Sequence, residues 1–292
     1  MTPQVSVIVP TYADWLGLQA CLDCLAGQSV SPDRFEVIVA NNNALPDVPE
    51  TLRLPGNAWV VHAPTPGSYA ARNLALEVAR GDCLFFTDSD CLPDRRWIEA
   101  GLDHLAVLGP TGRIGGRIEL FPHGATWTAA ELYDRIHGLR QHDYVRYGWA
   151  ATANLATRRA AFDLAGPFRA DLFSGGDVEW NLRAKSLGSE IVFAPDMLVR
   201  HPARASFADL AKKRRRHLGG HHQKTVLNLY QGRKTRSHKP FFQPNEIRRC
   251  LSYPGLSDKD YAKVLWVAFR LALVSLDETI RLRYLSGRPK RS

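Results

Sequence analysis

Two aspartates one residue apart end an apolar run in the first third of the chain. Leu84, Phe85 and Phe86 are apolar on both faces of an extended segment, and Asp88 and Asp90 follow directly. Residues two apart in such a segment point the same way, so both carboxylates can reach one ion. Carboxylates hold magnesium or manganese in phosphate chemistry. The pair therefore predicts a divalent metal site, although aspartate is also a common turn residue.

The elements that would position this pair alternate in type. Short β-branched or aromatic runs predict strands at residues 5–10, 35–40, 58–63 and 83–88. Apolar residues spaced three and four apart predict helices between the first two strands and between the last two. This order predicts an α/β fold with a mostly parallel, Rossmann-like sheet flanked by helices.

Polar residues follow three of these strands. They are Thr11 and Tyr12, the run from Asn41 to Asn43, and Asp88 with Asp90. Ligands of open parallel sheets bind beyond the carboxyl ends of the strands. We therefore expect the three strand ends to line one cleft.

The second half of the chain is less regular. We predict a strand at 113–120, a helix around 126–140, a last strand at 190–196 and a helix from 178 onwards. The Pro-containing, basic and aperiodic stretch 231–260 predicts a long loop.

The charge of the chain is divided unevenly. Of the 292 residues, positions 201–292 hold 21 Lys and Arg against 6 Asp and Glu, a net charge of +15, whereas residues 1–200 have a net charge of −6. We therefore predict a domain at 1–200 and a basic, helical C-terminal extension at 201–292. Nucleic acid, anionic lipid or a phosphorylated substrate would all fit such an extension.

Cysteine content and hydropathy indicate the compartment. The five cysteines are odd in number and scattered, which fits a reducing environment better than a disulfide framework. The start of the chain lacks a basic segment followed by an apolar run, and no stretch is long and apolar enough to span a bilayer. These features predict a cytoplasmic protein.

Five segments, taken in order, form a joint pattern. They are PTYADWLGLQACLDCLAGQ, FEVIVANNN, PGSYAARNLALEVARGDCLFFTDSDCLPD, ATANLATRRAAFDLAGPF and SGGDVEWNLRAKSLG. The pattern resembles the inverting glycosyltransferases of family 2 over roughly residues 5 to 201. The resemblance implies a GT-A fold and transfer of a sugar from a nucleotide-sugar donor to an acceptor hydroxyl. A UDP-sugar is the donor that we expect. It also suggests a glycan or lipid-linked acceptor in surface polysaccharide or glycolipid synthesis.

The resemblance implies two groups of binding residues. Those around the nucleotide would be Pro10, Thr11, Tyr12, Asn41, Arg72, Asp88 and Ser89. Those holding a Mg or Mn ion would be Asp88, Asp90 and His201. The family often has an aspartate where this chain has Asn41, and an amide offers both donors and acceptors to a base edge where a carboxylate only accepts.

The segment GGDVEWNLR resembles the part of the family that carries the catalytic base. Aligned with it, Asp177 is the base, and Gly176 replaces the usual acid before it. An acceptor hydroxyl must lose its proton as it attacks the sugar, and a carboxylate can take that proton. Asp177 would also serve as the N-cap of the helix that follows.

Further residues are candidates for the acceptor side. Trp149 and Trp180 offer rings that can stack on a sugar, although large aromatics also fill cores. Asn154, Arg158 and Arg159 match a family segment whose role would be to shape the acceptor side.

The extension predicts docking on an anionic membrane. Five consecutive basic residues, Lys212 to Arg216, lie on a predicted helix, and the stretch 264–274 is apolar except for Arg270. Such segments suit the inner face of a cell membrane without crossing it. In the other reading the C-terminal helix packs on the sheet and the basic run is a solvated helix face.

Two rival functions fit parts of the sequence. A nucleotidyltransferase can share the sheet and the acidic pair, but the segment after the first strand lacks the Gly-rich, basic loop of such enzymes. A non-catalytic nucleic-acid-binding protein would use the basic extension and leave Asp88, Asp90 and Asp177 without a role, so we expect no nucleic-acid partner. Asn41 and Gly176 also fit a scaffold of this fold that has lost activity.

Overall fold

The chain forms two compact units. A computed structural model describes residues 2–227, 229 and 244–284. Unit 1 comprises the described residues up to 119 together with 139–171 and 176–201, and unit 2 comprises 120–138, 172–175 and the described residues from 202 onwards. One division between the units falls at residue 201, and two internal segments of the predicted first domain, 120–138 and 172–175, belong to unit 2.

An eight-stranded mixed sheet is found in the described chain. Its strands are β1 (Val5–Thr11), β2 (Phe35–Asn41), β3 (Ala58–His62), β4 (Cys83–Thr87), β5 (Leu92–Pro93), β6 (Arg113–Phe121), β7 (Asn154–Arg158) and β8 (Ile191–Pro202). Their spatial order is β3-β2-β1-β4-β7-β6-β8-β5.

The first four strands in this order run parallel, as the alternating pattern predicts. Val7 lies opposite Val37 on one side and Phe85 on the other, and Thr11 lies opposite Asn41. The carboxyl ends of these strands therefore meet at one edge of the sheet. Strand β7, which the sequence pattern did not predict, runs antiparallel between β4 and β6.

Helices cover both faces of the sheet in unit 1. They are α1 (Trp15–Ala26), α2 (Ser68–Val78), α3 (Trp97–Ala106), α5 (Gln141–Arg146), α6 (Arg159–Ala165) and α7 (Gly176–Ser186), where the numbering leaves α4 for unit 2. Strands β1, β2 and β4 are buried along their whole length. One core contains Leu18 and Leu22 of α1 with Trp97 of α3, and the other contains side chains of α2, α6 and α7.

Unit 2 is built from helices. They are α4 (Ala129–His137), α8 (Phe207–Val226), α9 (Pro244–Ser252) and α10 (Asp258–Tyr284), and they share one apolar core. Helix α9 corrects part of the loop predicted at 231–260, because its Cys250 is buried in that core. Residues 231–243 of the predicted loop lie outside the described residues. Among the described helices, none combines the length and the apolarity that a membrane span requires.

The basic run of α8 is largely paired within unit 2. Lys213 Nζ lies 3.4 Å from a carboxylate oxygen of Asp134, Arg214 Nη2 lies 3.0 Å from Glu246, and Arg215 Nη2 lies 3.4 Å from Asp277. Burial lowers the pKa of Lys213 to about 8, and the neighbouring Arg204 charge acts in the same direction. The reading of this run as a solvated helix face is therefore wrong for Lys213 and Arg214, whereas the pair of Arg215 with Asp277 lies at the solvent-exposed surface.

Candidate active site

An acidic cluster forms where β4 leaves the sheet. Asp88, Asp90 and Cys91 come from the segment after β4, and His201 comes from β8; one potential ligand atom of each lies within 4.8 Å of the others. The Nε2 atom of His201 is 3.6 Å from Oδ1 of Asp90. The structure thus brings together the three predicted metal ligands and adds a thiol that the sequence analysis did not consider.

A short antiparallel pairing brings His201 to this place. Leu92 of β5 lies opposite Arg200 of β8, so the next position along the same register sets Cys91 beside His201. Because β5 has only two residues, hydrophobic periodicity could not predict this pairing. His201 is buried, which limits the orientations of its ring.

The electrostatics of the cluster fit a divalent cation. Burial raises the pKa of Asp90, the charge of Asp88 raises it further, and His201 opposes this shift. A bound cation would relieve the repulsion between two carboxylates held this close. Burial also keeps the pKa of the Cys91 thiol well above its usual range, so that the sulfur stays protonated. Two carboxylates and an imidazole then remain as donors, a set that suits Mg or Mn.

Arg72 is the direct partner of Asp88. Its Nη2 donates to Oδ1 of Asp88, and the arginine side chain is only 3% exposed. The guanidinium charge of Arg72 is therefore paired with a carboxylate of the protein itself. Its predicted place near the base or the diphosphate stays a prediction.

A second contact ties the loop after β1 to the acidic segment. Ser89 Oγ donates to Oδ2 of Asp14 at 3.2 Å, while Oδ1 of Asp14 accepts from the Gly17 amide at 3.1 Å and so caps α1. Asp14 therefore fixes both the start of α1 and the residue between the two aspartates of the acidic cluster. The sequence analysis missed this role, although an aspartate directly before a helix is a recognised capping signal.

The side chain of Asn41 is buried and its hydrogen bonds are used within the chain. Its Oδ1 accepts from the backbone and side-chain nitrogens of Asn43 at 3.0 and 2.7 Å, and its Nδ2 lies 3.3 and 3.4 Å from the carbonyl oxygens of Pro46 and Asp47. A primary amide offers two donors and two acceptor sites, so these contacts occupy all four. A carboxylate at this position could not donate to the two carbonyls. A contact between Asn41 and a base, which stays a prediction, would require some of these bonds to break.

The other residues predicted at the nucleoside pocket differ in exposure. Pro10 and Thr11 are buried at the end of β1, whereas Tyr12 is 70% exposed. The next residue, Ala13, has a left-handed backbone with φ of 55°, and its amide donates to Oδ1 of Asn43 at 2.9 Å. Tyr12 is thus the member of this group whose ring is open to a ligand.

Asp177 lies in the first turn of α7 and is held by a tyrosine. Tyr69 Oη donates to Oδ1 of Asp177 at 3.1 Å, and the Val178 amide donates to the same oxygen at 2.9 Å. Among the described residues, Oδ2 of Asp177 has no hydrogen-bond partner, and the side chain is half-buried. This arrangement leaves one carboxylate oxygen able to take a proton.

Helix α2 contacts both acidic positions. Tyr69 and Arg72 are three residues apart on this helix, and they bind Asp177 and Asp88 respectively. Helix residues at this spacing lie on the same face, about 5–6 Å apart at Cβ. One face of α2 therefore brings the predicted base and a predicted metal ligand to neighbouring positions.

A buried arginine anchors α7 from its other side. Arg113 of β6 donates to Oδ1 of Asn181 at 2.6 Å and to Oγ of Ser189 at 2.7 Å. Asn181 in turn donates to the carbonyl oxygen of Asp177 at 2.9 Å. This series of hydrogen bonds from Arg113 through Asn181 to Asp177 fixes the first turn of α7. No local signal in the sequence predicted it.

Several residues predicted for the acceptor side are structural. Trp180 is completely buried, stacks on Phe162 at 4.2 Å and donates to a backbone carbonyl, so its predicted stacking on a sugar is wrong. Trp149 stacks on Tyr144 at 3.9 Å. Asn154 is buried and bonds Trp97 and two backbone carbonyls, and Arg158 and Arg159 donate to backbone carbonyls. These contacts account for the side chains of Asn154, Arg158 and Arg159 without any role in binding an acceptor.

Comparison with known proteins identifies relatives of this site. The family model described as Glycosyl transferase family 2 matches residues 6–171, which include the acidic cluster except for His201. Glycosyltransferase AglE of Haloferax volcanii is 35% identical over 218 residues, covering 72% of this chain and 70% of that protein.

Solved structures share the fold. The mannosyltransferase PcManGT from Pyrobaculum calidifontis, solved with GDP-Man and Mn2+, has a TM-score of 0.62 at 17% identity, covering 98% of this chain and 89% of that one. TarS residues 1–349 of S. aureus, solved with UDP-GlcNAc, has a TM-score of 0.51 at 18% identity, covering 98% and 92%. The predicted GT-A fold is confirmed by this likeness.

Proposed function

The chain belongs to glycosyltransferase family 2, and we propose that it is a metal-dependent, inverting enzyme that transfers a sugar from a nucleotide-sugar donor to an acceptor hydroxyl. The observation that carries this proposal is the cluster of Asp88, Asp90 and His201, whose ligand atoms lie within 4.8 Å of one another. Family membership argues against the nucleotidyltransferase and nucleic-acid-binding alternatives, and the pairing of the basic run weakens the second further.

The proposed chemistry divides the work between the two acidic positions. Oδ2 of Asp177 takes the proton of the acceptor hydroxyl, whose oxygen attacks the anomeric carbon of the sugar. The bond between that carbon and the diphosphate oxygen breaks on the opposite face, and the nucleoside diphosphate leaves with the bonding electrons. A Mg or Mn ion bound by Asp88, Asp90 and His201 would stabilise the negative charge of the leaving diphosphate. Arg72 keeps Asp88 oriented through their ion pair.

The donor is proposed to be a UDP-sugar. Its nucleotide would contact Tyr12, Asp88 and Ser89, with Pro10, Thr11 and Asn41 shaping the pocket wall from buried positions. The solved relatives bind either GDP-Man or UDP-GlcNAc, so the base requires a direct test.

A panel of UDP, GDP, CDP and dTDP, each with and without manganese, tests the site by thermal shift. A ligand that binds only the native state raises the melting temperature, because it adds to the free energy of unfolding. At a ligand concentration of a hundred times Kd, this stabilisation is about 2.7 kcal/mol. We expect UDP with manganese to give the largest shift. The absence of a manganese-dependent shift with every nucleotide would contradict the proposal.

We place the protein in the cytoplasm, on the inner face of the cell membrane, where α10 would meet a lipid-linked acceptor. Trp266 is 59% exposed and stacks on Phe269, and Leu273 continues this face one turn on. Val264 and Leu271 on the other side of α10 are buried in the unit 2 core. Lys263 and Arg270 are exposed beside this face, and exposed aromatic and apolar residues beside basic ones are typical of helices that bind membrane interfaces. The surface proposed here is thus the face of α10 rather than the run Lys212 to Arg216, three of whose side chains are paired within unit 2.

Co-sedimentation with vesicles tests this location. We expect binding to vesicles containing anionic lipid, weakening at high salt, because each engaged basic residue contributes roughly 1 kcal/mol, or about fivefold in affinity. Trp266→Ser should reduce binding, whereas Leu187→Ser, which alters a similarly exposed apolar residue of unit 1, should not. If the wild type, Trp266→Ser and Leu187→Ser each co-sediment to the same extent with neutral as with anionic vesicles, the proposed docking on an anionic membrane is contradicted.

A further inference from the structure

We infer that Tyr69 is the positioning residue of Asp177, and that Gly176 lacks a side chain because the Tyr69 ring occupies its place. The inference rests on the proposed function of Asp177 as the base. It assigns a role to Gly176, which stands where the family usually has an acid.

The contact between Tyr69 and Asp177 has the geometry of a fixed hydrogen bond. The Oη to Oδ1 distance is 3.1 Å, and the tyrosine is 8% exposed. Burial raises the pKa of Tyr69 above its usual value, and the neighbouring charge of Asp177 raises it further. The phenol therefore keeps its proton at every pH at which the enzyme would work, so it always donates to the carboxylate.

Steric contacts determine where the ring lies. A Cβ atom built on Gly176 would lie 2.8 Å from both Cδ2 and Cε2 of Tyr69 and 3.0 Å from Cζ. Phe168 packs against the ring from another side, with centroids 5.8 Å apart. Any side chain at position 176 would push the ring, and the hydroxyl with it, away from Asp177. Glycine at 176 and tyrosine at 69 are thus one complementary pair.

The hydrogen bond has a direct consequence for a base. It restrains the rotation of the Asp177 carboxylate, so that Oδ2 keeps a constant direction for the acceptor hydroxyl. Of the groups around this hydrogen bond, Tyr69 and the charged Arg72 come from α2, and the Val178 amide comes from α7.

Tyr69→Phe removes the hydroxyl and keeps the ring, so the packing against Gly176 is preserved. We expect kcat for release of nucleoside diphosphate to fall about tenfold, with the KM for the donor unchanged. Tyr147→Phe, which alters an exposed tyrosine, is the matched control.

Gly176→Ala provides the second variant. Its methyl group should displace the Tyr69 ring and slow turnover in the wild-type background. In a Tyr69→Phe background the same methyl group should cost little more, because the hydroxyl that it displaces is already absent. Full additivity of the two substitutions would overturn the steric part of the inference.

Asp177→Asn, measured in parallel, separates the two levels of the proposal. If Asp177→Asn is inactive while Tyr69→Phe keeps the wild-type kcat, the inference is overturned and the proposed base stands. If Asp177→Asn retains turnover, the proposed base fails and the inference fails with it. A Tyr69→Phe enzyme with a lowered kcat, an unchanged KM for the donor and a wild-type melting temperature supports both.

Discussion

Replacing Asp177 by asparagine should lower turnover by on the order of a hundredfold or more, the range that follows the loss of a general base. The amide keeps the size of the side chain and an oxygen that can accept from Tyr69, but it cannot take the acceptor proton. Donor binding should remain near that of the wild type, because the acidic cluster is unaltered. Release of nucleoside diphosphate measures turnover, and thermal shift measures donor binding.

The control for this variant is Asp163→Asn. Asp163 is exposed on α6, so its substitution makes the same change of charge without altering the site, and its turnover should match the wild type. The result that would contradict the role of Asp177 is a loss of donor affinity with an unchanged rate for bound donor, which would assign the residue to the nucleotide site.

The second large effect concerns the metal site. Asp90→Asn should remove the manganese-dependent part of the thermal shift that a nucleotide gives, and turnover should fall by on the order of a hundredfold. An amide oxygen carries no charge, so the cation loses one of its two carboxylates. The melting temperature without metal should stay equal or rise slightly, because burial, and to a lesser extent the charge of Asp88, raises the pKa of Asp90 against the opposing charge of His201, so the fold disfavours the charged carboxylate that the substitution removes.

Asp90 is a cleaner test of the metal site than Asp88. Removing the Asp88 carboxylate would leave the buried Arg72 charge without its partner, which by itself destabilises the fold. Asp103→Asn on the exposed face of α3 is the control for Asp90→Asn. A manganese-dependent shift of wild-type size in Asp90→Asn would show that the ion binds elsewhere or through other ligands.

Local sequence patterns determined the parallel half of the sheet. The runs at β1, β2 and β4 are apolar on both faces, which is possible only for strands covered by helices on each side. Because these strands run parallel, their carboxyl ends lie at the same edge of the sheet. Asp88 and Asp90, which follow β4, are therefore expected at that edge. Period and burial are properties of a few consecutive residues, so a single sequence reports them.

The tertiary structure alone decided which distant residues meet. Tyr69 and Asp177 are 108 positions apart, and His201 reaches Asp90 through the two-residue strand β5. Strand β7 enters the middle of the sheet with only weak apolar character, and the basic run of α8 finds carboxylates on three other helices. Such contacts depend on how the chain returns to itself, and residue type and spacing do not specify that path. The sequence by itself thus determined the parallel strands and the polar residues that follow them, and only the packing of remote segments decided which of these residues meet and how each is held.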